Sequence, residues 1–474
     1  MGRVAFIQND VYEKMGVMSI SSTLKKHGHT CDVFCFDGES NFYKSLFDFK
    51  PDIIAYSLHI GEQEFALEVL SKVKEIDNKI LTLIGGPYVL VFPEIINEDC
   101  VDLMCVGDGE YVCLEILKRL EQKEDFNGID GLWFKDNKQI HNSPRISYVS
   151  DITQLPGLDR DLYPEKYPAI RNQSTKPFIL SRGCPYQCSY CYTRYINQCY
   201  KVAKAGSHFR MDSPEKVISE IRYVREKYGM DWVRFHDGTI NANLKYINKF
   251  LKMYADNKLP GFVAYARADK INEEFVSLLK KAGCDKLVFG IQTGNENIRR
   301  KLAHREMSDE QIIDACNLLK KYKIRIGVDI MFGWPGETVN EAYETIELCR
   351  KINPADVNSN VLIPYPKTEI ADYCIENHYV NDITIKDIES LRNSNHSLIK
   401  QKNIHRLINL DKLAFYTVKF PLLRPLVRIL IHLPPNKLFI VYKSIPPILR
   451  YFKYDIKSLR ERYRFFIKYI KSML

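Results

Sequence analysis

The stretch Ser181-Arg-Gly-Cys-Pro-Tyr-Gln-Cys-Ser-Tyr-Cys-Tyr192 decides how the rest of this chain is interpreted. It follows a short apolar run, Pro177–Leu180, and places Cys184, Cys188 and Cys191 in a C-x3-C-x2-C spacing. Three thiolates on one tight loop can hold three irons of a cubic iron–sulfur cluster and leave the fourth iron open. A small molecule can chelate an open iron, whereas a fully ligated cluster mainly carries electrons.

A structural zinc site is the alternative for these cysteines, since thiolates also suit tetrahedral zinc. Zinc would need a fourth ligand, which Cys199 or His208 could supply. The spacing lacks the paired C-x2-C halves that are usual in zinc sites, however. It therefore favours the iron–sulfur cluster.

The loop resembles the signature of the radical S-adenosylmethionine (SAM) enzymes, including the aromatic Tyr190 before the last cysteine. In that family the open iron binds the amino and carboxylate groups of SAM. One electron then cleaves SAM to a 5′-deoxyadenosyl radical, which abstracts a hydrogen atom from the substrate. The resemblance thus implies a [4Fe-4S] cluster on the three cysteines, SAM beside Tyr190, and an external electron donor of the flavodoxin or ferredoxin type.

The length of 474 residues allows two or three domains, each with its own core. With 45% hydrophobic residues, the composition is that of an ordinary soluble protein. The 13 cysteines are too sparse for a disulfide scaffold, and the N-terminus opens as a strand without a secretory signal. We therefore expect a cytoplasmic protein, where reducing conditions would also protect an oxygen-sensitive cluster.

Residues 1–130 alternate short apolar strands with helical patterns, which predicts a doubly wound parallel sheet with ligands at the carboxyl ends of its strands. The predicted strands are Arg3–Gln8, Thr30–Phe36, Asp52–Ser57, Ile80–Ile84 and Val101–Val106, and the predicted helices are Val17–His27, Glu62–Ile76 and Glu110–Glu121. Gly85-Gly86-Pro87 follows the fourth strand, and Gly107-Asp-Gly-Glu110 follows the fifth. Paired glycines allow a ligand to approach the backbone closely, although each could also be an ordinary tight turn.

This domain resembles the Rossmann-like cobalamin-binding domain that precedes many radical SAM barrels. The resemblance implies contacts to the corrin and its nucleotide tail from Ser57, Gly85, Gly86, Pro87, Gly107, Gly109 and Glu110. Domains that supply a histidine to cobalt carry Asp-x-His-x-x-Gly after the first strand, whereas here Tyr12 stands at the histidine position. Cobalt would then lack a protein histidine, with Tyr12 and His59 as its neighbours. The same departure leaves open a degraded cofactor site.

Residues 131–172 form a predicted connector, with a hairpin at Gly131–Phe134 and Gln139–Ile140 followed by an irregular proline-rich segment. Residues 173–400 then resume the alternation in six longer units, which predicts a partial (β/α)6 barrel with its functional residues at strand ends. The predicted strands are Phe178–Ser181, Trp232–His236, Phe262–Ala266, Lys286–Gly290, Arg325–Ile330 and Val357–Ile363, and the predicted helices are Pro214–Lys227, Leu244–Asp256, Glu273–Ala282, Asp309–Lys321 and Val339–Lys351.

Residues at these strand ends resemble the SAM-binding positions of the family. Asp237 follows the second strand and Arg267 the third, and the resemblance implies contacts to the methionyl end and ribose of SAM. An ion pair that stabilises the barrel rim is the alternative for both. The other implied SAM contacts are Gln292, Thr293, Gly333, Pro335 and Gly336. The last three belong to a Gly-Trp-Pro-Gly-Glu-Thr turn that resembles the turn against adenine, while Gln292-Thr293 replaces the Glu-Ser of many relatives.

Residues 401–474 form a basic, mainly helical C-terminal region by prediction. They contain 16 Lys and Arg against three acids, a net charge of +13, so residues 1–400 carry a net charge of −4. The apolar segment Phe415–Leu433 is too short and too charged to span a bilayer. It could lie peripherally on an anionic membrane or cap the bottom of the barrel, and both alternatives stay open. No nucleic-acid-binding fold accompanies the charge, so nucleic acid is not expected as a partner.

The resemblance covers roughly residues 1–375 and implies a cobalamin-dependent radical SAM methyltransferase that acts on an unactivated carbon of a small molecule, such as a natural product or a lipid. Three alternatives remain: a non-methylating rearrangement or cyclisation enzyme, a non-catalytic iron–sulfur protein, and a zinc-stabilised RNA-binding protein. No residue is assigned a catalytic role, because the cofactors carry the chemistry and the protein positions them.

Overall fold

The computed structural model describes residues 1–137, 139–391, 396–434 and 437–454, and the chain folds into two compact units. The first unit comprises Met1–Asn172, Ser181–Gly183 and Tyr195–Gly229. The second comprises Gln173–Leu180, Cys184–Arg194 and Met230–Leu474. The domain boundaries predicted from the sequence stay predictions, and the end of the predicted tail, residues 455–474, lies outside the described residues.

Seven strands form the sheet of the first unit in the order β2-β1-β3-β4-β5-β6-β7. They are β1 (Arg3–Gln8), β2 (Thr30–Cys35), β3 (Ile53–Ser57), β4 (Leu81–Gly85), β5 (Leu103–Cys105), β6 (Leu132–Asp136) and β7 (Gln139–Asn142). The first five pair in parallel, whereas β6 and β7 join the sheet as an antiparallel hairpin. The predicted doubly wound sheet and the predicted hairpin are both confirmed.

The helices of the first unit lie between these strands and after them in the chain. They are α1 (Met15–Lys26), α2 (Phe42–Asp48), α3 (Gln63–Ile76), α4 (Pro87–Val91), α5 (Glu110–Gln122), α6 (Pro168–Arg171), α7 (Tyr192–Val202) and α8 (Pro214–Tyr228). Helix α7 begins in the second unit and continues in the first. The central strands are buried along nearly their whole length, as expected for a parallel sheet with covered faces.

The remaining strands are β8 (Thr175–Phe178), β9 (Ser181–Arg182), β10 (Arg210–Met211), β11 (Trp232–Phe235), β12 (Gly261–Ala266), β13 (Cys284–Gln292), β14 (Arg325–Phe332) and β15 (Asp356–Val361). In the second unit, β8 and β11 to β15 form one parallel sheet in chain order, with β8 and β15 at its edges. The predicted six-stranded partial barrel is confirmed. Strands β9 and β10 pair with each other in the first unit.

The helices of the second unit are α9 (Leu244–Asp256), α10 (Glu273–Lys281), α11 (Asp309–Lys321), α12 (Val339–Ile352), α13 (Glu369–Glu376), α14 (Ile385–Leu391), α15 (Ile404–Lys419), α16 (Arg424–Leu430) and α17 (Lys437–Tyr454). Side-chain caps set where they begin. Ser308 and Thr338 form complete capping boxes at α11 and α12. Because Thr338 directly follows the Gly333–Glu337 turn, its cap fixes where that turn ends.

One predicted strand, Phe178–Ser181, is displaced in the structure. Strand β8 starts earlier, at Thr175, and ends at Phe178. The Leu180 N–H bonds to the side chain of Asp237 and not to a neighbouring strand, so the chain leaves the sheet there. Side-chain bonds of this kind compete with sheet pairing, and the apolar run alone could not reveal it.

The first tail helix, α15, packs along edge strand β15 and against α12. The Ser359 hydroxyl on β15 donates to the carbonyl of Asp411 at 2.7 Å, and Leu407, Leu410 and Ala414 are fully buried. Helix α15 thus takes the place of a further barrel helix. No helix in the described part of the chain combines the length and the apolar character needed to cross a membrane.

Candidate functional site

The cysteine loop follows strand β9 in the chain and precedes helix α7. The Cys191 N–H donates to the Cys188 carbonyl at 3.2 Å, so the loop is a tight turn. Gly238 lies against Cys184, since a Cβ there would come within 3.9 Å of its sulfur. Burial raises the pKa of the Cys184 thiol, and the other two cysteines raise it further. Positive charge favours the thiolate form of such a buried thiol, and iron would supply that charge.

Arg305 is a functional candidate that the sequence analysis missed. Its side chain is buried, and its Nη1 donates to the Cys188 sulfur at 3.5 Å and to the Tyr190 hydroxyl at 3.3 Å. Its Nε is buried without a hydrogen-bond partner among the described residues. Arg305 follows a one-turn π-helix, Ile298–Leu302, and not a strand end, so no pattern marks it.

The described residues contain no group of three or more His, Cys, Asp or Glu side chains that could hold a single metal ion. A cubic cluster makes a different demand, because each thiolate ligand binds a different iron atom. Cys199 and His208, the side chains considered as a fourth zinc ligand, belong to the first unit. The Cys199 sulfur lies 4.0 Å from the Leu90 carbonyl, and His208 Nδ1 lies 3.0 Å from the Asn197 side-chain oxygen.

Asp237 and Arg267, which follow strands β11 and β12, both contact the segment around the cysteine loop. Both carboxylate oxygens of Asp237 accept from the Leu180 N–H, at 3.1 and 2.9 Å. The Arg267 guanidinium lies 4.0 Å over the ring of Tyr186, a residue of the loop, and pairs with Asp269. Arg267 thus forms an ion pair, with Asp269 as its partner. The contacts of both residues to SAM stay predictions.

Gln292 and Thr293, at the end of β13, differ in where their side chains go. Gln292 has a left-handed φ of 71°, unusual for a residue other than glycine. Its amide nitrogen lies 2.6 Å from the position that a Cβ of Gly290 would take. Thr293 is fully buried, and its hydroxyl accepts from the Asn295 N–H at 3.2 Å. Thr293 therefore stabilises its own turn.

The turn after β14 holds the predicted adenine contacts. Gly333 and Gly336 have φ values of 79° and 77°, which favour glycine, and Pro335 is buried between them. The Gly336 N–H donates to the Gln401 side-chain oxygen at 2.7 Å. Gln401, at the start of the C-terminal region, therefore contacts this turn.

Glu337, in the same turn, is a second residue that was not singled out as a site residue. It is buried, and its Oε2 accepts from the N–H groups of Gly333 and Trp334 at 2.6 and 3.2 Å. Its Oε1 has no hydrogen-bond partner within the part of the chain that the structure describes. Burial raises the pKa of Glu337 to about 8, although the two N–H donors act in the opposite direction.

Tyr12, Ser57 and His59 come together at the carboxyl edge of the first unit's sheet, around Glu62. The Tyr12 hydroxyl and the His59 N–H donate to the Glu62 carboxylate at 3.3 and 3.1 Å. Buried Lys14 donates to the same carboxylate and to the Ser57 carbonyl, both at 2.8 Å. Burial alone would raise the pKa of Glu62, but the bonds from His59 and Lys14 hold it at about 2. Only the folded chain reveals this role of Lys14 and Glu62.

Several residues at this edge are exposed. A side chain at Gly16, at the start of α1, would meet no atom within 4 Å. The His59 side chain is about half exposed, and Tyr12 is exposed as well. Exposed polar groups at the carboxyl ends of parallel strands are in the usual position for a ligand of this fold, so this edge is accessible to a ligand such as cobalamin.

The Gly85-Gly86-Pro87 turn packs against the protein itself. Gly86 has a φ of 91°, and a Cβ there would lie 2.8 Å from the backbone of Leu58. At Gly85 the nearest atom would be 3.7 Å away, and Pro87 begins helix α4. The fold therefore requires glycine at position 86.

The Gly107–Glu110 turn is also engaged internally. A Cβ at Gly107 would lie 2.2 Å from the Ser147 carbonyl, and one at Gly109 would lie 2.6 Å from a neighbouring side chain. Glu110 is buried and pairs with Arg182 at 2.5 Å. The contacts of this turn to cobalamin stay predictions.

Asp108, in the same turn, extends this pair into a buried cluster of charges. Its carboxylate pairs with Arg182 at 2.8 Å and with Arg210 at 2.5 Å. Arg182 is the residue two positions before Cys184. The cluster therefore fixes the backbone that enters the cysteine loop.

Two family models match this chain. Residues 178–349 match the radical SAM superfamily, and residues 7–117 match the B12 binding domain. The first match includes the cysteine loop and the turn after β14. The second includes the polar groups and the glycine turns of the first sheet.

Among known proteins, the chain is similar to an uncharacterized methyltransferase of Pyrococcus horikoshii, with 28% identity over 346 residues that cover 72% of each chain. It is 24% identical over 373 residues to an anaerobic magnesium-protoporphyrin IX monomethyl ester cyclase of Rubrivivax gelatinosus, covering 75% of this chain and 65% of the cyclase. Its fold is similar to that of the radical SAM methyltransferase TsrM from Kitasatospora setae, with a TM-score of 0.68, 15% identity, and coverage of 80% of this chain and 76% of that one.

Proposed function

This chain belongs to the radical SAM enzymes that carry a B12-binding domain, and from this premise we propose that it is a methyltransferase acting on an unactivated carbon. The cofactors follow from the family: a [4Fe-4S] cluster, SAM and cobalamin. When bound, the cluster supplies the electron that cleaves SAM, and cobalamin supplies a methyl group that a substrate carbon radical can accept. The observation that carries the proposal is the presence of both domains in one chain, because a carbon radical cannot take a methyl cation from SAM directly.

In the barrel unit, the protein's contribution is to hold and orient. Cys184, Cys188 and Cys191 would ligate the cluster, and Asp237 keeps the backbone before their loop in place through the Leu180 N–H. Because this carboxylate is buried, water does not compete for its charge-assisted hydrogen bond with the Leu180 N–H. We assign Tyr190, Arg267, Gln292, Thr293 and the Gly333–Gly336 turn to the SAM cleft, in line with their places at strand ends.

In the first unit, we assign the cobalamin site to the sheet edge around Glu62. Tyr12, Ser57 and His59 lie there, with the glycine turns at positions 85–86 and 107–109 on the same edge. Because Glu62 engages Tyr12 and His59, neither residue needs to bind cobalt to be held in place. This arrangement supports cobalamin bound without a protein histidine on cobalt.

A non-methylating reaction is the second candidate, and the similarity to the magnesium-protoporphyrin cyclase favours it. In that case cobalamin would act as a redox partner and not as a methyl carrier. Both candidates need an external one-electron donor, for which flavodoxin and ferredoxin are suitable classes, and both place the enzyme in a reducing compartment such as the cytoplasm.

The products separate the two candidates. Anaerobically reconstituted enzyme would be incubated with a one-electron donor, SAM bearing a deuterated methyl group, and a small-molecule extract of the source cells. Methyl transfer predicts 5′-deoxyadenosine and S-adenosylhomocysteine in equal amounts, with a labelled product in the extract. Deoxyadenosine without S-adenosylhomocysteine would assign the non-methylating class. S-adenosylhomocysteine without deoxyadenosine would exclude radical hydrogen abstraction.

A further inference from the structure

The C-terminal region carries an unusual concentration of exposed apolar side chains. Of the 18 large apolar residues exposed among the described residues, eight fall between Phe420 and Tyr442. Four of them follow one another at helical spacing, and their side chains are 94%, 50%, 69% and 44% exposed: Leu422, Leu426, Ile429 and Leu433. Leu426 and Ile429 lie in α16, Leu422 precedes this helix and Leu433 follows it, and the steps of four, three and four residues place them on one side of the segment. We call these four residues the outer face.

The opposite side of this segment is fixed to the barrel unit. Val427 and Ile431 are buried, and Arg424 pairs with Glu347 on α12 at 2.5 Å. The guanidinium of Arg424 also lies 5.4 Å from the ring centre of Tyr343 on the same helix. These contacts orient α16, so the outer face points away from the unit's core.

The charge around the outer face favours one kind of occupant. Residues 412–454 contain eight Lys and Arg and no Asp or Glu. His432 is exposed beside the outer face, whereas exposed Arg428 lies on the side of α12, with its guanidinium 5.0 Å from the ring centre of Tyr343. A second copy of this chain would bring the same positive charge to the contact, whereas an anionic bilayer would bring the opposite charge.

We propose that the outer face docks this enzyme on an anionic membrane surface, with its four aliphatic side chains at the boundary between headgroups and acyl chains. Basic side chains around it would meet the phosphates of the lipid headgroups. The proposal does not depend on the reaction, because docking needs neither cofactor nor substrate.

Cosedimentation of the full chain with vesicles tests this proposal. Vesicles of phosphatidylcholine with one quarter phosphatidylglycerol would be compared with pure phosphatidylcholine at low salt. The wild-type chain should bind the anionic vesicles, and 0.5 M salt should weaken that binding. The double variant Leu426→Glu/Ile429→Glu should lose at least about tenfold in affinity, because it replaces apolar contacts by charges that anionic lipid repels.

The matched control is Ile76→Glu/Val202→Glu, which makes the same kind of change at two exposed positions outside the outer face. It should bind like the wild type. Equal binding to neutral vesicles, or equal loss in both double variants, would overturn the proposal. So would a dimer in sedimentation velocity that Leu426→Glu/Ile429→Glu disrupts, which would assign the outer face to a second copy of the chain.

A second inference concerns Arg305 and rests on separate contacts. The loop that carries Arg305 is held to the cysteine loop, since the Ser189 N–H donates to the Ala303 carbonyl at 3.4 Å and the Ser189 hydroxyl to the Leu302 carbonyl. Nη1 of Arg305 then reaches the Cys188 sulfur at 3.5 Å. The guanidinium is buried and stays protonated under all ordinary conditions.

A buried positive charge that donates to a ligand sulfur favours the more negative, reduced state of a cluster. We propose that Arg305 is a positioning residue that orients the Cys188 thiolate and raises the reduction potential of the cluster. The effect concerns electron entry alone, so it holds for a methylating and a non-methylating enzyme alike.

The midpoint potential of the reconstituted cluster, followed by electron paramagnetic resonance without SAM or substrate, tests this role. Arg305→Met should lower the potential, and Arg305→Lys should lower it less, because lysine keeps the charge without the planar fork. Arg300→Met is the control, since Arg300 forms an exposed pair with Glu306 in the same segment as Arg305 and should leave the potential unchanged. If Arg305→Met does not assemble a cluster, Arg305→Gln gives the same test of the charge. An unchanged potential in a charge-removing variant that holds the cluster would overturn the proposal.

Discussion

The glycine turns of the first unit and the cysteine loop of the second are both short and chemically unusual, yet the structure accounts for them differently. Gly86 and Gly107 have left-handed φ values, and any side chain there would collide with the protein's own backbone. Folding alone therefore requires these glycines. No folding requirement explains three thiols on one turn, and burial together with the two neighbouring cysteines raises the pKa of the Cys184 thiol. An unusual motif indicates chemistry most strongly where packing leaves it unexplained.

The largest expected effect is on the cysteine loop. Cys188→Ala should abolish cluster iron and reductive SAM cleavage, because the loop has only three thiolates and each would bind a different iron of the cluster. Cys199→Ala should leave both intact, since Cys199 lies outside the C-x3-C-x2-C spacing and its sulfur lies 4.0 Å from the Leu90 carbonyl. Iron analysis and 5′-deoxyadenosine measurement would check both variants. Loss of the cluster in Cys199→Ala would contradict the three-ligand assignment.

The next effect is on the charged cluster before that loop. Arg182→Met should destabilise the protein by about 3–5 kcal/mol, because it leaves the buried carboxylates of Asp108 and Glu110 with one cation fewer. Arg300→Met, which removes an exposed pair with Glu306, should change the free energy of unfolding by less than about 0.5 kcal/mol. Denaturant unfolding at neutral pH measures both. Equal effects would mean that the buried cluster is not structural.

The third effect tests the cobalamin site without disturbing the glycine turns. Gly86→Trp would collide with the Leu58 backbone, so it could not separate a blocked site from a misfolded one. Gly16 has open space around it, and Gly16→Trp should fold normally while weakening cobalamin binding about a hundredfold. Ile76→Trp, at an exposed helix end, should bind like the wild type. Unchanged binding in Gly16→Trp would move the cofactor away from this edge.

Sequence patterns predicted most of the fold, because the signals that define a helix or a strand lie within its own residues. Strand β1 and helices α9 and α11 have the predicted bounds, since their apolar periodicity and caps coincide. Strand β8 was placed wrongly because the bond from the Leu180 N–H to Asp237 spans 57 residues. Such a contact leaves no mark in the local sequence.

The site was predictable only where residue type itself carries the chemistry. The cysteine spacing suffices to suggest a cluster, but Arg305 reaches Cys188 across 117 residues from an irregular segment. Likewise, Lys14 and Glu62 are ordinary surface residue types until folding brings them together at 2.8 Å. The surroundings of a charged group therefore cannot be predicted from the sequence. Two carboxyl groups show this most clearly.

The last and smallest effect compares those two carboxyl groups, Glu62 in the first unit and Glu337 in the second. Burial raises the pKa of Glu337 to about 8, above the value of about 4.5 in the unfolded chain. Its contribution to stability is therefore complete below about pH 4.5 and is lost as the pH rises towards 8. Glu337→Gln keeps an oxygen acceptor for the Gly333 and Trp334 N–H groups but cannot ionise. Relative to the wild type, it should gain about 1–3 kcal/mol of stability between pH 5 and pH 8.

Glu62 is the matched case with the opposite sign. The bonds from His59 and Lys14 hold its pKa at about 2 against the effect of burial, so its contribution to stability is present above about pH 4.5 and is lost as the pH falls towards 2. Glu62→Gln should therefore be less stable than the wild type at pH 7, with the difference shrinking on acidification. Urea unfolding across this pH range measures both variants. A difference between Glu337→Gln and the wild type that stays constant from pH 5 to pH 8 would mean that Glu337 is ionised throughout. Its two N–H donors would then outweigh burial, and the contrast between the two carboxyl groups would disappear.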